Sequence, residues 1–219
     1  TSWPCRYIDP KSSQLYLFRV SYYGRRINLE VFHAVTDGMG AVNFIRELTA
    51  RYLDLKHGTP HPLREEEQGD AYKIEDSYLK NYKKMPGRRY SSKPAYRMEG
   101  EYLAMGGESV VHGTVDIQDL KRREKGVSVT KYLTASLIWS ICQVYMGGTP
   151  GTQSIGINLP INLRAFFGSD TASNFFAVTA IDYEPGQEKD EFEEILASVC
   201  RQMDKKIVKE KLEETISYN

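Results

Sequence analysis

Near the start of the chain, apolar and polar residues alternate with a period of two, and soon afterwards the period lengthens to that of a helix. Residues 14–23, QLYLFRVSYY, are rich in aromatic and β-branched side chains and predict a strand. After the turn Gly24-Arg25-Arg26, the segment INLEVFHAV predicts its hairpin partner. By the alternation of a strand, Ile27, Leu29, Val31 and His33 share one face, and Asn28, Glu30 and Phe32 share the other. His33 is thereby expected at the end of a strand, on its apolar side. From Gly38 onward, Ala41, Ile45, Leu48, Tyr52 and Leu55 recur at spacings of three and four, so a helix follows at once and stops before Gly58-Thr59-Pro60. A charged loop, PHPLREEEQGD, comes next, and a second short helix is expected at about residues 71–84.

Residues 84–100, KMPGRRYSSKPAYRMEG, have two prolines, two glycines and no period, and they read as a solvated crossover between domains. The pattern divides the chain into an N-terminal lobe at 1–95 and a C-terminal lobe at 96–219. In the second, VVHGTVDI predicts a strand in which His112 packs, and DLKRREKG predicts a short helix closed by Gly126. Thr130 is expected to cap a further helix whose buried stripe is Leu133, Leu137, Ile141 and Val144, ended by Gly147 to Gly151. SIGINLPINL and FFAVTAIDY predict two strands joined by RAFFGSDTASN. From about Asp190 an amphipathic helix carries Phe192, Ile195, Leu196, Val199, Met203 and Ile207 on one face. Strands and helices mix throughout without an internal repeat, so the fold class is α/β or α+β in two layers.

Lys plus Arg equals Asp plus Glu at 29 each, which gives no electrostatic reason to expect nucleic acid or an anionic membrane as partner. No apolar run approaches the roughly 20 residues of a membrane span, and nothing resembles a signal peptide. Cys5, Cys142 and Cys200 are odd in number and widely spaced, which argues against a disulfide framework or a zinc site and for a reducing, cytoplasmic setting. Cys142, on a buried helix face, is expected to be inert. Starting on Thr1 and ending in a helical segment, the chain reads as a piece of a longer protein.

The candidate chemistry lies in His33-Ala34-Val35-Thr36-Asp37-Gly38. A short loop between strand and helix can aim an imidazole into a cleft while Asp37 turns away to anchor the loop beside a helix N-terminus. Gly38 is expected to supply the backbone freedom of the reversal. Alone, the pattern also fits a histidine that merely packs at the rim of a sheet. Rival sites are weaker. There is no GxSxG elbow for a serine hydrolase. His57, His61 and Glu65 to Glu67 share a loop but lack metal-ligand spacing.

The segment FHAVTDGMGAVNFIREL resembles the HxxxDG signature of the superfamily of chloramphenicol acetyltransferase, peptide-synthetase condensation domains and alcohol O-acetyltransferases. INLPINLRAFFGSDTASNFFAVTAIDY is similar to the later family stretch with an Asn/Asp-x-Arg element and an Asn before a strand, and VSVTKYLTASLIWSICQVY to the helix that opens the second lobe. The resemblance implies a two-lobed chloramphenicol acetyltransferase-like fold, with each lobe incomplete here. It implies that His33 is the general base that deprotonates a hydroxyl or amine acceptor attacking the thioester of acyl-coenzyme A, acetyl being the expected acyl group. Asp37 would be structural, pairing with Arg164; Gly38 and Asn174 would complete the site, and Thr179 is a weaker candidate for the oxyanion. No metal and no permanently bound cofactor are implied, acyl-coenzyme A being a co-substrate. The partners are then that thioester and a small acceptor, with homo-oligomerisation left open. Phe32 stands where condensation domains carry a second histidine, which favours a freestanding enzyme over a module acting on carrier-protein thioesters. A non-catalytic binding relative is the remaining alternative.

Overall fold

In the computed structural model, residues 8–9, 11, 14–58, 74–84, 94–101, 103, 111–123, 126–146, 153–186 and 191–218 are described. They form a mixed α+β arrangement of seven helices and two two-stranded sheets. By packing, the chain divides into two compact units. The first comprises Thr1–Lys83 together with Asn162–Ala177, and the second Lys84–Ile161 together with Val178–Asn219. The first continuous stretch ends at Lys83, and the late segment Asn162–Ala177 packs with the N-terminal elements.

In the first unit, β1 (Phe18–Tyr23) and β2 (Arg26–Val31) pair antiparallel, from Phe18 opposite Val31 to Tyr23 opposite Arg26. Gly24, at φ 55°, makes the tight turn that a side chain would strain. The pleat puts Arg19 and Glu30 opposite each other on one face, where they form an ion pair at 2.6 Å. On the other face, Phe18 meets Phe44 edge-on at 5.5 Å between ring centroids. Phe44 belongs to α1 (Gly38–His57), which Gly58 ends in a left-handed conformation. The α1 pattern departs from expectation at its C-terminal end: Tyr52 and Leu55 are exposed, and Asp54 is buried instead. His57 is the last residue of α1, so it is a helix end rather than part of a loop; His61 and Glu65 to Glu67 lie outside the described residues. The short α2 (Ser77–Asn81) falls inside the expected second helix and is capped by the Asp76 side chain.

The second unit buries its core between helices and sheet. Here α4 (Val129–Ser140) continues into a π-helical turn (Ile141–Tyr145), β3 (Ile155–Asn162) pairs with β4 (Phe176–Tyr183), and α6 (Phe192–Lys206) packs on both. Ile195, Leu196, Val199 and Met203 are buried, as the periodicity of the last segment requires. The helix then breaks at Ile207, and α7 (Lys209–Tyr218) follows with Leu212 and Ile216 buried. Gln202 of α6 reaches β4, donating to the Asp182 carbonyl at 2.7 Å and accepting from its N–H at 3.2 Å.

Three expectations for this unit are corrected. Residues 111–116 form no strand, and Val111 and Val115 are exposed, as is His112, which therefore does not pack. Gly113 interrupts the alternation, and Asp116 accepts from the N–H groups of Gln118 and Asp119, committing the chain to α3 (Ile117–Arg123). The cap of α4 is Ser128, two residues before Thr130, and it accepts from the Lys131 N–H. With that start the buried face is Thr134, Ala135, Ile138, Ile141 and Cys142, whereas Leu133, Leu137 and Val144 are exposed. The segment Arg88 to Lys93 and the stop at Gly147 to Gly151 lie outside the described residues.

Candidate active site in the first unit

Strand β2 ends at Val31, two residues before His33. Phe32 still donates to the Leu17 carbonyl, and the Val35 N–H then bonds back to the carbonyl of Phe32, closing a turn over residues 33–35. His33 therefore stands in a turn beyond the strand rather than on its last apolar position, because the ladder runs out opposite Leu17. Its side chain is exposed, and among the described residues no group hydrogen-bonds the imidazole. The ring does contact Phe176, edge-on at 5.7 Å between centroids.

Asp37 faces the opposite way. It caps α1, with Oδ1 accepting from the N–H groups of Met39 and Gly40, both at 3.1 Å. The same carboxylate meets Arg164 through both oxygens, Nη1 to Oδ2 at 2.9 Å and Nη2 to Oδ1 at 3.0 Å. The Phe175 N–H donates to Oδ2 at 2.8 Å. Burial alone would raise the Asp37 carboxyl. The guanidinium of Arg164 and the backbone donors of Phe175 and Gly40 outweigh it and hold the group below the usual carboxylate range. Arg164 opens α5 (Arg164–Phe167) and spends all its donors. Nε bonds the Thr171 carbonyl, Nη1 also bonds Asn162 Oδ1, and Nη2 also bonds the Ser173 carbonyl. A bidentate pair whose remaining donors are also satisfied is the form in which a buried ion pair can persist.

Asn174 Nδ2 donates to the carbonyls of His33 at 3.0 Å and Ala34 at 3.4 Å, so the late segment also grips the turn that carries the histidine. Its Oδ1 is buried without a hydrogen-bond partner among the described residues. The structure thus brings His33, Asp37, Gly38, Arg164 and Asn174 into one unit, whereas Thr179 belongs to the other.

Gly38 is corrected in its role. It has no left-handed φ, and a Cβ there would meet nothing. The glycine required by geometry is Gly40, where a Cβ would overlap Thr36 Oγ1 and the Ala172 carbonyl, themselves joined by a hydrogen bond at 2.6 Å. Sequence reading also missed Tyr78. Its hydroxyl donates to the Phe176 carbonyl and accepts from the Phe176 N–H, and its ring packs edge-on against the fully buried Phe175 at 5.2 Å. Burial pushes the Tyr78 phenol up. No local pattern marks such a residue, because its partners lie 97 and 98 positions away in the chain. Gly40 had a weak signal, a second glycine three residues after a capping aspartate.

The chain matches no protein-family model, no curated protein and no solved structure.

Proposed function

We propose that the chain carries the catalytic base of an acyltransferase, which moves an acyl group from a coenzyme A thioester to the hydroxyl or amine of a small acceptor. The observation that supports this reading most is the division within HAVTDG. Asp37 is wholly consumed by Arg164 and backbone donors, while the His33 imidazole is exposed from a turn that those bonds hold in place. With the carboxylate committed as an anchor, the exposed imidazole, which makes no hydrogen bond among the described residues, is left open to an acceptor proton.

His33 takes the proton from the acceptor O–H or N–H as that atom attacks the thioester carbonyl. The tetrahedral adduct then expels the coenzyme A thiolate, and the imidazolium returns its proton to the sulfur. Because the thioester is already activated, the histidine need supply only the proton transfer, about 10²–10⁴ in rate. Positioning of both substrates accounts for the rest.

The test is release of free coenzyme A thiol from acetyl-coenzyme A with a panel of alcohols and amines. His33→Ala should lower kcat by about 10²–10⁴ with little change in KM. A loss below tenfold with a good acceptor removes His33 from the mechanism. Binding of acyl-coenzyme A without turnover by any acceptor would favour the non-catalytic relative.

A further inference from the structure

Among the described residues the imidazole of the candidate base makes no hydrogen bond, and the side-chain contact its ring does make is aromatic. Among the described residues the aromatic partner of His33 is Phe176, edge-on at 5.7 Å. Phe176 in turn is fixed through its backbone. Tyr78 closes both of its peptide groups with one hydroxyl, accepting from the N–H at 2.9 Å and donating to the carbonyl. The Tyr78 ring is itself seated edge-on against Phe175, which Phe167 meets from a second direction at 5.8 Å. Phe175 is fully buried, and its N–H is bonded to Asp37. The backbone of Phe176 is therefore tied to the buried part of the unit, while its ring meets the exposed imidazole.

We propose that Phe176 and Tyr78 are positioning residues for His33, with Phe176 setting the direction of the imidazole and Tyr78 setting Phe176. The consequence for the reaction rests on the acyltransfer reading above, but the positioning itself does not. A base that swings freely presents its nitrogen to the acceptor only part of the time, and misplacement by about 1 Å is enough to cost about 10²-fold in rate. An aromatic neighbour restricts the swing while leaving both nitrogens open to proton transfer, which a hydrogen-bonding neighbour would not.

The test uses the full chain and reads the histidine directly. The chain has four histidines, and the ring C–H signals that vanish from a proton–carbon correlation spectrum in His33→Gln are those of His33. Phe176→Leu preserves an apolar side chain and removes the ring. The His33 signals should then move to the shifts of an unconstrained histidine. Phe176→Tyr keeps the ring and should keep the wild-type shifts. Tyr78→Phe removes only the hydroxyl, and it should move the same signals in the same direction as Phe176→Leu but less far. Tyr132→Phe, whose ring packs on Phe192 in the second unit, should move none of them. With an acyl acceptor in hand, Phe176→Leu and Tyr78→Phe should each lower kcat about tenfold at nearly constant KM, with Phe176→Tyr restoring it.

Unchanged His33 signals in Phe176→Leu would overturn the positioning, as would equal displacement by Tyr132→Phe. Should Phe176→Leu fail to fold, Tyr78→Phe decides by the same signals: displacement supports the proposal and wild-type shifts overturn it. If the signals follow the variants while the wild-type chain transfers no acyl group, the positioning stands and the acyltransfer reading falls.

Discussion

A carboxylate offers about four lone-pair positions, and Asp37 accepts five hydrogen bonds, so nothing remains for a substrate. Its contribution must be to stability and to the placement of His33. Asp37→Ala leaves the Arg164 guanidinium buried and unpaired, and Arg164→Ala does the reverse. Each should cost about 3–5 kcal/mol in urea unfolding. The double variant should cost less than the sum of the two, with a coupling of about 0.5–3 kcal/mol. Strict additivity would show that the pair contributes nothing as a pair. His33→Ala, at an exposed position, should change stability by no more than about 0.5 kcal/mol, so the same measurement separates anchor from base. The pairing of Asp37 with Arg164 is an implication of the motif resemblance, because the local pattern contains no cue to a partner 127 positions away.

At the scale of elements, the N-terminus of α1 joins three requirements: a capping carboxylate, a buried ion pair and a glycine at close approach. Gly40→Ala has no room beside Thr36 and the Ala172 carbonyl, and it should destabilise by about 1–3 kcal/mol as overpacking does. Gly38→Ala meets no atom and should cost far less, the reverse of what the sequence pattern suggests. Acidity probes the same junction. The folded Asp37 carboxyl lies below its unfolded value of about 3.9. The stability it contributes is therefore fully present above that value and is lost as pH falls through the folded value. Between pH 5 and the acid limit, the wild-type Tm should fall more steeply than that of Asp37→Asn, and parallel slopes would contradict the linkage. Elements built from their own neighbours were legible in advance: the β1–β2 hairpin with Gly24, α1 up to Gly58, β3, β4 and the buried face of α6. Errors came where a cap shifted the frame. Ser128 rather than Thr130 starts α4 and turns its buried face toward Thr134, Ala135 and Ile138. Asp116 starts α3 where an apolar run suggested a strand.

The whole molecule is organised by a segment that leaves one unit to complete the other. Residues 1–83 contain His33, the loop and α1, yet Asp37 finds Arg164 and the Phe175 N–H only 127 and 138 positions later. Compositional breaks mark where a chain crosses between units, but they do not show a short later excursion such as Asn162–Ala177. Closing so long a loop costs conformational entropy before any contact is returned, although the cost grows only slowly with length. The segment must repay it locally, and the buried Arg164, Leu163 and Phe175 are its means of doing so. This arrangement permits a clean excision. Leu163 N–H bonds the Phe175 carbonyl, so the two ends of the excursion are adjacent and a short turn can join β3 to β4 directly. Residues 164–174 replaced by such a turn should leave the second unit's core folded, because Ile138, Ile181, Ile195 and Val199 draw nothing from the removed segment. The first unit should lose Arg164, the Ala172 contact with Thr36 and the Asn174 grip on the His33 turn together. Hydrogen exchange reads both outcomes in one experiment. Amides in α6 should keep wild-type protection, while those of Met39, Gly40 and Ala41 should exchange much faster, since the α1 cap no longer has a fixed partner. Wild-type protection at those three amides would mean that the N-terminal elements hold the loop unaided, and that the late segment is a covering rather than a clamp.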